Sequence, residues 1–218
     1  MTIQIDLLPL GMIQTNCYIV GDSDTGDAII IDPAAEGDRI LAHVKERGYT
    51  VREILITHTH FDHILAGHAV KVGTDAPFRL HKENLPQLKT LPQQMASFGI
   101  PMSDPPAEPD GYIEHGDMIE VGIMRLEARF TPGHSPGHLI FMMKEQKVAF
   151  VGDCIFRDGF GRTDLPGADA ATLKKSVTEE ILTLPDDFTL LSGHGPQTTV
   201  GREKSESVML AQLLQIPG

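Results

Sequence analysis

Cysteine is scarce in this chain. Its 218 residues carry only Cys17 and Cys154, too few for a disulfide framework, and a reducing cytoplasm is the expected compartment. Long apolar runs are missing too. The longest, such as Leu139 to Met143, fall far short of the roughly 20 residues that span a bilayer. The opening stretch MTIQIDLLPL lacks the basic region, apolar run and small-residue cleavage site of a signal peptide. Positive charge is in deficit: 18 Lys and Arg face 30 Asp and Glu, for a formal net charge of −12. A field of that sign repels nucleic acid and anionic membranes, so neither is expected as a partner. A small-molecule substrate remains, acted on by a monomer or a homodimer.

The composition, 41% hydrophobic and 22% charged, is that of an ordinary globular protein. The length suits one domain over residues 1–218, with no low-complexity tract or long linker. Ile3 to Leu8, Asn16 to Val20, Ala28 to Ile31 and Val51 to Ile56 read as strands. Ile40, Leu41 and Val44 fall at helical spacing, and Gly48 is a stop signal. Met124, Leu126, Ala128 and Phe130 alternate with charged residues, as in a half-exposed strand. Leu139 to Met143, Val148 to Val151 and Phe188 to Leu191 are further strands. Leu173, Val177 and Ile181 mark one face of a helix, and Glu203 to Leu214 a closing helix. The proline-rich stretch Lys82 to Asp110 predicts a short helix and then an irregular loop.

The chemistry gathers where strands end. Within Thr57-His58-Thr59-His60-Phe61-Asp62-His63, the six positions from His58 to His63 hold three imidazoles and a carboxylate, the donor types zinc prefers. Asp32, His134, Asp153 and His194 each follow another apolar strand. Groups on loops at strand ends are held by a rigid sheet yet face an open crevice. His58 and His60, two apart, point to the same side of an extended segment and can grip one metal. Asp62 and His63 follow where the chain turns and can serve a second. His134 completes the first set, His194 the second, and Asp153 has two oxygens with which to bridge both.

This ordered series resembles the metallo-β-lactamase superfamily from Asp32 to His194. The stretches Thr131-Pro-Gly-His-Ser-Pro-Gly-His138, Gly161-Arg-Thr-Asp-Leu-Pro-Gly167 and Gly193-His-Gly-Pro-Gln-Thr-Thr-Val-Gly201 are similar to its small glyoxalase II-like (hydroxyacylglutathione hydrolase-like) branch. They also resemble the persulfide dioxygenase branch. The resemblance implies an α/β fold of the αββα kind, two mixed sheets flanked by helices. It implies two divalent metals on His58, His60, Asp62, His63, His134, Asp153 and His194, zinc foremost and iron or manganese as alternatives. It casts Asp32 as a hydrogen-bonding support for the His loop. The C-terminal helical domain with which longer glyoxalase II enzymes hold glutathione is expected to be absent, because few residues follow His194.

Activity expected on these grounds is hydrolysis of a thioester such as S-lactoylglutathione by a hydroxide bridging two metals, which Asp62 would help orient. The rival is a mononuclear iron persulfide dioxygenase built on His58, His134 and Asp153. A hydrolase of another ester or lactone is the remaining reading. His138 is expected to support the site rather than bind metal, and Cys154 to be structural. Arg162 and Phe98 are the candidates for substrate contact, although Arg162 and Asp164 are more simply read as shaping their glycine-rich loop. Met95 and Met102 fit a pocket wall or the core. His43, His81 and His115 are expected at the surface.

Overall fold

The computed structural model describes residues 2–97, 99–102 and 104–217. The chain divides into two compact units, Met1–Ile113 with Glu120–Met124, and Glu114–Ile119 with Arg125–Gly218.

The first unit is built on a six-stranded sheet in sequence order: β1 (Ile3–Leu10), β2 (Thr15–Asp22), β3 (Asp27–Ile31), β4 (Thr50–Leu55), β5 (Phe78–Leu80) and β6 (Gly111–Tyr112). The first three strands are antiparallel neighbours and the rest pair in parallel. The β3–β4 crossover is helix α1 (Gly37–Arg47). It buries Ile40 and Val44 and ends at Gly48, whose left-handed φ of 68° lets its N–H turn back to the Lys45 carbonyl. Helices α2 (Phe61–Ile64) and α3 (Gly67–Thr74) lie between β4 and β5. The proline-rich stretch holds a short 3₁₀ turn, then α4 (Leu85–Lys89) and α5 (Leu91–Ser97). Ile19, Ile30, Ile54, Phe78 and Leu80 lie in this unit's apolar core.

A second six-stranded sheet uses β7 (Met118–Val121), β8 (Met124–Phe130), β9 (Leu139–Met143), β10 (Val148–Gly152), β13 (Thr189–Ser192) and β14 (Thr198–Thr199), in the order β14-β13-β10-β9-β8-β7. It is mixed, since β10 pairs with β13 in parallel and with β9 antiparallel. A two-stranded hairpin, β11 (Ile155–Phe156) and β12 (Gly159–Phe160), follows β10. Helix α6 (Ala170–Ser176) runs into a π-helical turn, Val177–Ile181. Leu173, Val177 and Ile181 are all buried, as their spacing predicts. The expected closing helix is two helices, α7 (Val200–Glu206) and α8 (Val208–Leu214). The break is at Ser207, whose hydroxyl caps α8 by accepting the Leu210 N–H. Among the described residues no helix is long and apolar enough to cross a membrane.

Candidate metal centre

In the first unit, parallel pairing of β3 and β4 puts their C-terminal ends side by side, with Ile31 opposite Leu55. Asp32 therefore emerges next to Thr57 and the His cluster. It is buried, with a left-handed φ of 52°, a conformation Asp tolerates better than most side chains. Asp32 Oδ1 accepts the Thr57 N–H at 2.7 Å, and Oδ2 accepts the Thr57 hydroxyl at 2.6 Å. His63 Nδ1 lies 2.9 Å from the same Oδ2. A carboxylate only accepts, so His63 Nδ1 carries its proton and Nε2 keeps the lone pair. The Thr57 hydroxyl directs its proton at Asp32, so in its 3.1 Å contact with His58 Nδ1 the ring donates and the hydroxyl oxygen accepts. His58 is thus fixed in the same tautomer.

Both rings are buried and nearly in contact, with centroids 4.1 Å apart, and His60 packs edge-on to His58 at 4.7 Å. His60 precedes α2 in an extended conformation, and Asp62 sits in its first turn. Asp62 Oδ2 accepts the Thr15 hydroxyl at 2.8 Å and stands 3.4 Å from His63 Nε2.

In the second unit, His134 follows β8, Asp153 follows β10 and His194 follows β13. His134 Nδ1 lies 2.8 Å from the Arg162 carbonyl, which only accepts. Its Nε2 therefore also keeps the lone pair. Asp153 Oδ2 faces His134 Nε2 at 3.5 Å and His194 Nε2 at 3.6 Å. His138 has the opposite tautomer. The Asp153 N–H donates to its Nε2 at 3.1 Å, so its Nδ1 donates to the Thr131 hydroxyl oxygen at 2.9 Å. Both nitrogens of His138 are engaged, one with Thr131 just after β8 and the other with the Asp153 backbone.

Each unit supplies buried donors of the kind a divalent cation takes. His58 Nε2, His63 Nε2, His134 Nε2 and Asp153 Oδ1 are buried and take no part in a hydrogen bond. Imidazole lone pairs and carboxylate oxygens turned toward one another repel, whereas a shared cation reverses the sign of that interaction. His ligands typically have the ring nitrogen opposite the metal tied to a carboxylate or carbonyl, as here.

Other expected residues lie elsewhere. Arg162 and Asp164 are exposed and joined by two hydrogen bonds of 2.9 and 2.8 Å. That pairing raises the guanidinium and lowers the carboxyl from their ordinary values. Cys154 is buried, and burial pushes its thiol up to about 12, so it is neutral and inert as a nucleophile. Met95 and Met102, with Glu36, Arg39, Leu65 and Ile100, line a cavity of about 520 Å³ in the first unit. Phe98 lies outside the described residues. His81, expected at the surface, is buried, because its Nδ1 caps the 3₁₀ turn by accepting the Glu83 N–H. His43 is half-buried against Asp6 at 3.0 Å.

Sequence reasoning missed Thr15, Thr57, Thr131 and the Arg162 carbonyl. Thr57 and Thr131 stand directly at strand ends before the His motifs, a signal that was available. Thr15 is remote in sequence from Asp62, and a backbone carbonyl leaves no trace in residue type.

Comparison with known proteins agrees with this geometry. The Metallo-beta-lactamase superfamily pattern matches residues 10–194. The Bacillus subtilis probable metallo-hydrolase YqgX is 39% identical over 93% of this chain and 95% of its own. The Haemophilus influenzae hydroxyacylglutathione hydrolase GloC is 35% identical over 94% and 97%. The bovine mitochondrial persulfide dioxygenase ETHE1 is 33% identical over 83% of this chain and 63% of its own. Among solved structures, the BLEG-1 B3 metallo-β-lactamase has a TM-score of 0.88 at 35% identity, covering 95% of this chain and 99% of that one. TTHA1623 in a di-iron-bound form has a TM-score of 0.85 at 33% identity, covering 93% and 98%. The α/β class with two mixed sheets expected from the sequence is the fold of these structures. The chain belongs to the metallo-β-lactamase superfamily.

Proposed function

We propose that this chain is a metal-dependent hydrolase that cleaves thioesters of the S-lactoylglutathione kind. The observation that carries the metal reading is the shared tautomer of His58, His63 and His134, each with Nδ1 tied to an acceptor and its lone pair on Nε2. The thioester reading rests on the similarity to the Haemophilus influenzae GloC hydrolase, which extends over 97% of that protein. The proposed ligands are His58, His60 and His134 for one ion and Asp62, His63 and His194 for the other, with Asp153 shared. When bound, two divalent ions supply an activated water at neutral pH and polarise the acyl carbonyl.

The chain's own groups do the rest. Asp62, steadied by the Thr15 hydroxyl, orients the attacking water through its carboxylate. Asp32 and the Arg162 carbonyl hold the protons on His63 Nδ1 and His134 Nδ1, which keeps both Nε2 atoms available. The leaving thiolate is a stable anion, so no strong general acid is needed. Zinc, iron and manganese all suit His and Asp donors. The second reading, a persulfide dioxygenase using His58, His134 and Asp153, is favoured by the similarity to bovine ETHE1.

The test sets S-lactoylglutathione hydrolysis, followed as loss of thioester absorbance, beside oxygen uptake on glutathione persulfide. Both use metal-counted protein and a His58→Ala control. Hydrolysis without oxygen uptake, lost in the control, is expected. Oxygen uptake without hydrolysis would replace the hydrolase with the dioxygenase.

A further inference from the structure

The segment 155–162 touches two of the proposed ligands within the second unit. At its start, Phe156 on β11 packs edge-on against His194, with ring centroids 5.9 Å apart. At its end, the Arg162 carbonyl accepts from His134 Nδ1. Between these points the backbone lies so close to the site that Gly161 has no room for a side chain. A Cβ there would sit 2.0 Å from the Asp153 carbonyl oxygen and 2.6 Å from His134 Nδ1, inside any tolerable contact.

The hairpin turn is anchored away from the site. Asp158, with a left-handed φ of 60°, accepts two hydrogen bonds from the Arg202 guanidinium, at 3.0 and 2.8 Å. Its own N–H donates to Glu203 Oε2 at 3.0 Å. Glu203 is buried and also accepts from Arg202 at 2.7 Å and from the Thr198 hydroxyl at 2.5 Å. Thr198, Arg202 and Glu203 belong to β14 and α7, the elements that follow His194. One cluster therefore ties the hairpin after Asp153 to the structure after His194. A partly buried network with this many mutual bonds is rigid.

We propose that residues 155–162 are a brace that positions His134 and His194, and that its lock, Asp158 with Arg202 and Glu203, sets how tightly the metal centre is held. The inference rests on reading both histidines as ligands. The brace residues are positioning residues, since none is proposed to touch substrate. Groups that orient a metal-binding His are commonly worth about 10- to 100-fold in metal affinity. A brace of this kind therefore acts on metal retention before it acts on folding.

The experiment measures zinc affinity of metal-stripped protein by competition with a chromophoric chelator. It compares the parent with Phe156→Leu, Asp158→Ala, Gly161→Ala and, as reference, His134→Ala. Cobalt-loaded samples give a visible spectrum that reports ligand geometry independently of activity. Phe156→Leu and Asp158→Ala are expected to lose about 10- to 100-fold in affinity and to shift the cobalt bands, with the metal-free melting temperature little changed. Lys204→Ala breaks a different surface pair of α7, with Asp186, and is expected to bind zinc as the parent does. Gly161→Ala should show the largest loss, and should it fail to fold, the other two variants carry the test. Parental affinity and spectra in Phe156→Leu and Asp158→Ala, with binding lost in His134→Ala, would overturn the brace alone. Parental binding in His134→Ala would overturn the ligand reading itself.

Discussion

Replacing Asp32 tests how the His cluster is organised. Its two oxygens satisfy three buried donors: the Thr57 N–H, the Thr57 hydroxyl and His63 Nδ1. Asp32→Ala leaves all three unsatisfied at about 1–3 kcal/mol each. The total, about 3–9 kcal/mol, rivals the whole stability of a typical domain at about 5–15 kcal/mol, so that variant should unfold or nearly so. Asp32→Asn separates folding from metal binding. Asn matches the shape, tolerates the left-handed φ and can still accept the Thr57 N–H. Its amide group, however, presents donors where the Thr57 hydroxyl and His63 Nδ1 need an acceptor. His63 is then pushed to the other tautomer, with a proton on Nε2 and no lone pair for a metal. One mismatched buried contact costs about 1–3 kcal/mol, a drop of roughly 2–12 °C in melting temperature for a chain of this size. Metal affinity should fall by about 10- to 100-fold. Circular dichroism melts of metal-free protein and zinc competition give the two numbers. An Asn variant that melts lower but binds zinc with parental affinity would refute the tautomer argument.

Two further outcomes follow from the same geometry. Cys17 and Cys154 are both buried, and burial raises both thiols, Cys154 to about 12. Neither should react with a thiol reagent at pH 8 in the folded protein, and both should react once it is unfolded; fast native labelling would contradict this placement. Glu36 is held low chiefly by the Gly11 N–H, and Asp169 by the Thr172 hydroxyl and N–H. Carboxyls depressed by folding add stability above their unfolded pKa, and that stability is lost as pH falls through the folded value. The melting temperature should therefore fall below about pH 4.5, the ordinary carboxyl range, and Glu36→Gln with Asp169→Asn should flatten that fall; an equally steep acid fall in the double variant would contradict it.

Much of this was legible in the sequence because buried strands write themselves as apolar runs. Leu139–Met143 is buried at every position, and its boundaries are those read from the sequence. The helix at Ile40 to Val44 and its stop at Gly48 were equally plain. Short strands were not. β6, β11, β12 and β14 are two residues each, too short for any period to show. The break at Ser207 was hidden because apolar spacing continues through Leu210 and Leu213, while an extended serine backbone and its capping bond divide the helix. For the candidate site, residue types and strand ends were visible from the first. The supporting contacts were not, because they join Thr15 to Asp62 and a backbone carbonyl to His134 across long stretches of chain.

Stripping the protein of metal and returning zinc in measured equivalents, while following S-lactoylglutathione hydrolysis, tests the proposed two-metal hydrolase most directly. Without metal the protein should be silent, and activity should rise with zinc and level off at two equivalents per chain. Turnover by the metal-free protein, or none at any zinc loading, would contradict that proposal.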